Sequence, residues 1–286
     1  MRRNEMSPLA ESLELVGICF DGSGRAHGQA AAPARLRAAG LSTVVPAARL
    51  TPDIIVSEPD PGRGPKAGFV NERALLEMVE ATYARVCSAL QDDRFPLLYG
   101  GDCSVLLGAI PAVRDTYGNA GLLFVDGHED ATTLEGSTTG EAANMEIALL
   151  LGMTGEHATE PIRMRMPALD PDAIVMLGQR DENYRREIGV PSIGDQVRIH
   201  NADEVRRDPE RLATHAAALL SNRAAAWWLL TWSALTAITQ AALRNDRCRG
   251  WSIGVYNADL DPDLQDAQRI LAYLADTTTN AMISAE

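Results

Sequence analysis

Hydrophobic residues fall into short apolar runs that alternate with longer amphipathic segments along the chain. Three of the apolar runs are Leu13–Cys19, Phe95–Tyr99 and residues 122–125. Each is closely followed by a glycine or an acidic residue, which is typical of a strand buried on both faces. Residues 71–90 and Pro209–Leu220 have the apolar spacing of amphipathic helices. Strands that alternate with helices predict a mainly parallel central sheet with helices on both faces, a three-layer α/β/α architecture.

The rest of the chain continues this alternation without a linker or an internal repeat. Further strands are predicted at residues 173–177, 197–200, 225–230 and 251–256, and further helices at 32–40, 105–115, 141–151, 233–243 and 261–275. We therefore predict a single α/β domain over residues 1–286, with ligands bound outside the carboxyl ends of its strands.

Polar side chains with metal-binding chemistry follow the strand at residues 122–125. Asp126, His128 and Asp130 occupy alternate positions there, and they turn to one side if the chain stays extended. Carboxylate and imidazole donors suit hard or borderline divalent cations such as Mn²⁺ and Zn²⁺. Taken alone, the triplet fits a solvated turn as well as it fits a metal site.

Composition and charge narrow the class of protein. Of the 286 residues, 46% are hydrophobic and only 5% aromatic, which is typical of α/β proteins. The formal net charge of -13 disfavours nucleic acid and anionic membranes as partners. The four cysteines are far apart in sequence, and no signal peptide or membrane-spanning run is recognisable. We predict a cytoplasmic protein with free thiols.

Two motifs at predicted strand ends resemble those of a known family. The motifs are Gly-Gly-Asp-Cys-Ser at residues 100–104 and Asp-Gly-His-Glu-Asp at residues 126–130. Together with residues 177–181 and 256–262, they occur in the order found in the ureohydrolases, the family of arginases, agmatinases and formiminoglutamases. The resemblance implies an arginase-like fold and a homo-oligomer. It also implies two Mn²⁺ ions that activate water to attack the carbon of a small cationic guanidino or amidino compound.

The resemblance further implies which residues bind the ions. Asp126 would bridge both, with His128 on one ion and Asp130 on the other. Cys103 stands where the family has a histidine ligand. A thiolate ligand favours Zn²⁺ or Fe²⁺ over Mn²⁺, and the alternative is a buried thiol that only packs as a small hydrophobic group.

A second departure removes two of the family's metal ligands. The family's Asp-x-Asp pair belongs at the end of the strand at residues 225–230, but Leu230 runs directly into Thr231, and residues 222–244 contain no carboxylate. We therefore expect one ion or none rather than two. The segment is missing either through a natural deletion or because this sequence omits a stretch of the natural protein.

The third departure lies in the loop at residues 137–144, which resembles the family's substrate loop but lacks the histidine that shuttles protons in arginases. Thr139 and Glu141 match positions that face substrate in relatives. Glu141 would meet a cationic ligand, or it would be the first-turn acid of the next helix.

These observations leave two hypotheses. The first is a hydrolase of a guanidino or amidino C–N bond, with one ion held by Cys103, Asp126, His128 and Asp130, and with Asp126 and His128 as catalytic residues. The second is a catalytically inactive protein that keeps the arginase fold as a binding or subunit module.

Overall fold

The computed structural model describes residues 12–45, 48–156, 158–223, 225–230, 238–239, 243 and 247–280. These residues form one sheet in the order β2-β1-β4-β9-β8-β5-β6-β7, with β3 beside β1. All the described strand pairings are parallel. The strands are β1 Leu13–Cys19, β2 Arg49–Leu50, β3 Ile54–Ile55, β4 Phe95–Tyr99, β5 Gly121–Val125, β6 Ile174–Gln179, β7 Arg198–Asn201, β8 Ala226–Leu230 and β9 Cys248–Ile253.

Helices cover both faces of the sheet. Along β1, Leu13 and Leu15 pack with α1 and α10 on one face, whereas Val16 and Ile18 pack with α3 and α4 on the other. This alternation follows from the two-residue period of a strand, and it confirms the predicted three-layer α/β/α architecture. The described α-helices are α1 Ala32–Ala38, α2 Leu41–Val44, α3 Glu72–Gln91, α4 Leu106–Tyr117, α5 Glu146–Leu150, α6 Glu160–Arg163, α7 Glu182–Ile188, α8 Ala202–Arg207, α9 Pro209–Leu220 and α10 Gln265–Asn280.

The start of one predicted helix matters for the candidate site. The helix expected at residues 141–151 is wrong in its first part, because Ala142–Asn144 form a separate 3₁₀ turn and α5 starts at Glu146. The first-turn acid of this helix is therefore Glu146 and not Glu141. Most of the helix predicted at residues 233–243 lies outside the described residues.

The register of the central strands sets the level of the predicted site. Val125, the last residue of β5, pairs with Leu177 on one neighbouring strand and with Leu230 on the other. Leu230, the last residue of β8, therefore lies level with the residue that directly precedes Asp126. Residues 231–237, and with them the junction at which the family's ligand pair is missing, lie outside the described ranges. None of the helices that are described combines the length and apolar character required to span a bilayer.

Candidate active site

The loop after β4 delivers the Cys103 side chain to the carboxyl edge of the sheet. Gly100 and Gly101 both have left-handed φ angles, of 88° and 70°, and a Cβ atom on Gly100 would lie 2.8 Å from the Ile18 carbonyl oxygen. Only glycine fits such a turn without strain. Asp102 then fixes the loop, because its carboxylate accepts hydrogen bonds from the amides of Gly22 at 2.8 Å and Ser104 at 3.0 Å.

The loop after β5 bends instead of staying extended. The strand ends at Val125, the chain bends at Gly127 and His128, and Asp130 has a left-handed φ of 45°. The condition under which a strand period would turn Asp126, His128 and Asp130 to one side is therefore not met, and the reason is local. The Asp126 Oδ1 atom accepts a hydrogen bond from the His128 amide at 2.8 Å, which closes a short side-chain-to-backbone turn.

Asp126 connects the other two predicted donors. Its Oδ1 atom lies 3.3 Å from Nδ1 of His128, and its Oδ2 atom lies 3.7 Å from the Cys103 sulfur. The Asp126 side chain is buried, whereas 59% of the His128 side chain is exposed. The imidazole therefore lies at the mouth of the site and the thiol lies at its base.

A third carboxylate joins Cys103 and Asp130 at this base. Potential ligand atoms of Cys103, Asp130 and Glu146 all lie within 4.8 Å of one another, and all three residues are buried. Glu146 is not among the site residues predicted from the sequence. The signal that marks it is its position as the single charged residue in the apolar run from Met145 to Leu151.

The base of the site concentrates negative charge. Burial, reinforced by Asp126, Glu146 and Asp130, raises the pKa of the Cys103 thiol well above its usual value. Burial and repulsion from Asp126 raise the pKa of Asp130 well above the ordinary carboxyl range, and burial and repulsion from Asp130 do the same to the pKa of Glu146. The hydrogen bond to Asp126 raises the pKa of His128. Acidic side chains that are buried next to one another repel when they are ionised, so they favour either bound protons or a cation between them.

A cavity of about 550 Å³ opens above these groups, and a smaller one of about 310 Å³ adjoins it. His128, Asp130 and Glu141 line both, whereas Cys103 and Asp126 line the larger and Thr139 the smaller. The Thr139 hydroxyl accepts hydrogen bonds from the Glu141 amide and the Asn144 side chain, both at 3.2 Å. The six predicted site residues therefore lie around adjoining cavities.

Glu129 points away from the cavities and anchors the loop that carries the donors. Its carboxylate lies 2.7 Å from the Arg185 guanidinium, and it accepts hydrogen bonds from the Ser192 hydroxyl at 2.8 Å and the Ile193 amide at 2.9 Å. The Glu129 amide in turn donates to Asp181 at 3.0 Å. A larger cavity of about 820 Å³ lies on this side, and the buried acids in its wall already have these partners.

Comparison with known proteins identifies the family. A model of the arginase family matches residues 11–228. The chain belongs to the arginase family. One relative is the arginase of Saccharomyces cerevisiae, which is 35% identical over 107 residues, or 37% of this chain and 32% of the yeast protein. The chain thus spans about a third of the length of that relative in the match.

Solved structures of arginase-family proteins have the same fold. An arginase from Bacillus caldovelox has a TM-score of 0.76 at 21% identity, covering 98% of this chain and 99% of that one. The formimidoylglutamase of Bacillus subtilis has a TM-score of 0.72 at 14% identity, covering 100% and 95%. These similarities confirm the arginase-like α/β fold.

The donors of this arginase-family site fit one divalent cation better than two. Cys103, Asp130 and Glu146 converge on one point, and Asp126 lies against the thiol. A second ion would need the carboxylates that the family places after the strand equivalent to β8, and residues 222–244 of this chain contain none. A thiolate beside carboxylates is a mixed donor set that suits Zn²⁺, Co²⁺ or Fe²⁺ at least as well as Mn²⁺.

Proposed function

We propose that this arginase-family protein hydrolyses a guanidino or amidino C–N bond with the help of one divalent cation. The observation that supports this most is the arrangement of Cys103, Asp126, His128 and Asp130 around one cavity at the carboxyl edge of a parallel sheet. Ligands bind at this edge in open α/β folds.

The chemistry divides between the bound cation and the protein. When bound, a divalent cation would lower the pKa of a water molecule and supply a nucleophile near neutral pH. Asp126, between the thiol and the imidazole, is placed to accept the proton that water loses. His128 holds a proton more readily than a free imidazole because of Asp126, and it would donate a proton to the departing nitrogen.

The substrate class follows from the charge of the cavity walls. No described cation forms an ion pair with the Glu141 carboxylate, which lines both cavities. Glu141 would bind the cationic guanidino or amidino group through charge-assisted hydrogen bonds, and Thr139 would hold the Glu141 backbone in place. We therefore propose Thr139 and Glu141 as substrate-binding residues.

Other properties of the protein stay predictions. Mn²⁺ is the ion implied by the resemblance, whereas the Cys103 thiolate favours Zn²⁺ or Fe²⁺. A homo-oligomer is implied by the family, and a cytoplasmic location agrees with the four cysteines, none of which forms a disulfide. A single domain over residues 1–286 also stays a prediction.

A second candidate function is a non-catalytic binding or subunit module. The observation that favours it is that β8, whose Leu230 pairs with Val125, is followed in the sequence by a stretch without carboxylates, whereas the family has its second pair of metal ligands after this strand. Loss of those ligands would remove the two-ion reaction while the fold persists.

Metal analysis and turnover measurements on the full chain separate these candidates. We expect one bound ion per chain and turnover of at least one of four compounds: arginine or agmatine with release of urea, hydroxyarginine with release of hydroxyurea, or formiminoglutamate with release of formamide. Asp126→Ala should abolish release, whereas Asp195→Ala, at an exposed position, should not. Absence of release from all four compounds by the metal-loaded protein would refute the hydrolase hypothesis for these substrates and favour the binding module.

A further inference from the structure

Glu146 is a charged residue that the fold buries completely. Its exposed fraction is 0%, as are those of its neighbours Met145 and Ile147. Neither carboxylate oxygen accepts a hydrogen bond from another residue in the described part of the chain, and no described Lys or Arg forms an ion pair with Glu146. A buried carboxylate without partners is strongly unfavourable, so a native fold that keeps one requires an explanation.

Glu129 shows how the same fold treats a buried glutamate with a structural role. Glu129 is 2% exposed, and its oxygens meet the Arg185 guanidinium, the Ser192 hydroxyl and the Ile193 amide. The fold thus provides a cation and two donors for one buried glutamate and leaves the other with none. Glu146 instead faces two further acidic groups, the Cys103 thiol and the Asp130 carboxyl.

The backbone holds these groups in a fixed arrangement. The Ile147 amide donates a hydrogen bond to the Asp130 carbonyl at 3.1 Å, and the Thr132 amide donates to the Asn144 carbonyl at 3.1 Å. These two bonds tie the loop after β5 to the start of α5 and bring the two carboxylates together. The third group, Cys103, comes from the 3₁₀ turn after β4. Three separate segments therefore converge on one buried point.

We infer that Glu146 is a metal ligand and that Cys103, Asp130 and Glu146 together bind one borderline divalent cation such as Zn²⁺, Co²⁺ or Fe²⁺. The inference rests on the metal centre of the proposed function and adds a ligand to it. One thiolate and two carboxylates are three anionic donors, which is the number of protein ligands that leaves a position open in a tetrahedral catalytic site. Glu146 thereby supplies charge that the missing Asp-x-Asp pair would have provided.

The alternative is a pair of carboxyl groups that share a proton. Asp130 and Glu146 are within hydrogen-bonding reach of each other if one of them is protonated. A proton-sharing pair and a metal site use the same residues and differ in what the protein binds. Metal binding is therefore the property to measure.

The test is a titration of the full chain, stripped of metal by a chelator, with Co²⁺ and then with Zn²⁺ in competition with a chromophoric chelator. We expect one Co²⁺ per chain with a thiolate-to-cobalt charge-transfer band, which Cys103→Ser removes. Glu146→Gln, an isosteric change, should weaken Zn²⁺ binding by at least about 100-fold, because loss of a supporting group alone costs 10–100-fold. The matched control is Glu156→Gln, at an exposed position, which should bind as the unaltered protein does.

A second readout guards against a folding defect. Zn²⁺ should raise the melting temperature of the unaltered protein and of Glu156→Gln, and this increase should be lost in Glu146→Gln. Equal Zn²⁺ affinity of Glu146→Gln and the unaltered protein would overturn the inference even if the enzyme is active. Absence of bound metal in the unaltered protein would overturn it too. Tight, Glu146-dependent binding without turnover would uphold the inference and refute the proposed hydrolase.

Discussion

Replacing Asp261 by asparagine should destabilise the start of the last helix without affecting metal binding. The Asp261 carboxylate is buried. Its Oδ1 atom accepts a hydrogen bond from the Asp266 amide at 3.0 Å, and its Oδ2 atom accepts from the Ala267 amide at 2.8 Å and the Tyr256 hydroxyl at 2.7 Å. The carboxylate therefore satisfies two amides at the beginning of α10 and ties that helix to the loop after β9.

The size of the stability loss follows from the hydrogen bonds that an asparagine at position 261 can still accept. Its carbonyl oxygen keeps one of the amide bonds, but its NH₂ group cannot accept from the second amide. Leaving that buried amide unsatisfied costs about 1–3 kcal/mol, and hydrogen bonds to a charged acceptor are stronger than those to a neutral one. We expect a loss of roughly 2–3 kcal/mol at pH 7, and thus a fall in Tm of roughly 4–10 °C for a chain of this size.

The effect should depend on pH in a defined direction. Burial raises the pKa of Asp261, but the hydrogen bonds from Ala267, Asp266 and Tyr256 outweigh it, so the pKa lies below its usual value. A carboxyl group with a lowered pKa in the folded state stabilises the protein above its unfolded-state pKa of about 4. This contribution is lost as the pH falls through the folded-state pKa. The difference between the unaltered protein and Asp261→Asn should therefore shrink at low pH.

Urea denaturation at pH 7 and at decreasing pH measures this difference. Asp259→Asn is the matched control, because Asp259 lies two residues away and is exposed; it should lower stability by less than about 0.5 kcal/mol. Equal losses for the two substitutions, or a loss for Asp261→Asn that stays constant to pH 3, would contradict the capping role. Co²⁺ binding by Asp261→Asn should match that of the unaltered protein.

Two further substitutions test the core and the metal centre. Gly250→Ala should lower stability by about 1–3 kcal/mol in urea denaturation, because its Cβ atom would lie 2.0 Å from the buried Trp227 ring. The control is Gly254→Ala, whose Cβ atom would meet nothing closer than 3.7 Å and which should therefore lose less stability. A larger loss for Gly254→Ala than for Gly250→Ala would refute the packing argument. Cys103→Ser should shift the metal preference from Zn²⁺ toward Mn²⁺ by replacing a soft donor with a hard one, and an unchanged Zn²⁺-to-Mn²⁺ affinity ratio would show that the sulfur does not bind the ion.

Sequence patterns predicted the elements whose residues are buried on a regular period. The bounds of β1, β4 and α9 agree with the prediction, because an apolar run or an apolar stripe carries enough local information. The short helices α7 and α8 were not predicted. Each is only one or two turns long, which is too short for an apolar period to show in the sequence. The capping box formed by Asn201 and Glu204 at the start of α8 is nevertheless a local signal that predicts a helix there.

The candidate site was only partly predictable for a different reason. Asp126, His128 and Asp130 were found because they directly follow a recognisable strand. Glu146 lies 16 residues after Asp130 in sequence, and it reaches the site because backbone hydrogen bonds fold α5 onto the loop after β5. A residue brought in by such a tertiary contact leaves little trace in local periodicity. Only its charge within an apolar run distinguishes it.

The one-ion centre that we propose also accounts for how catalysis could persist without the Asp-x-Asp pair. His128 is mostly exposed and lies outside the group formed by Cys103, Asp130 and Glu146. An imidazole that is not bound to metal is free to carry a proton, and Asp126 stabilises its protonated form. A two-ion centre would occupy both residues as ligands. Loss of the second ion would therefore remove electrostatic stabilisation, but it would leave Asp126 and His128 available as the proton acceptor and donor that this chain otherwise lacks in its substrate loop.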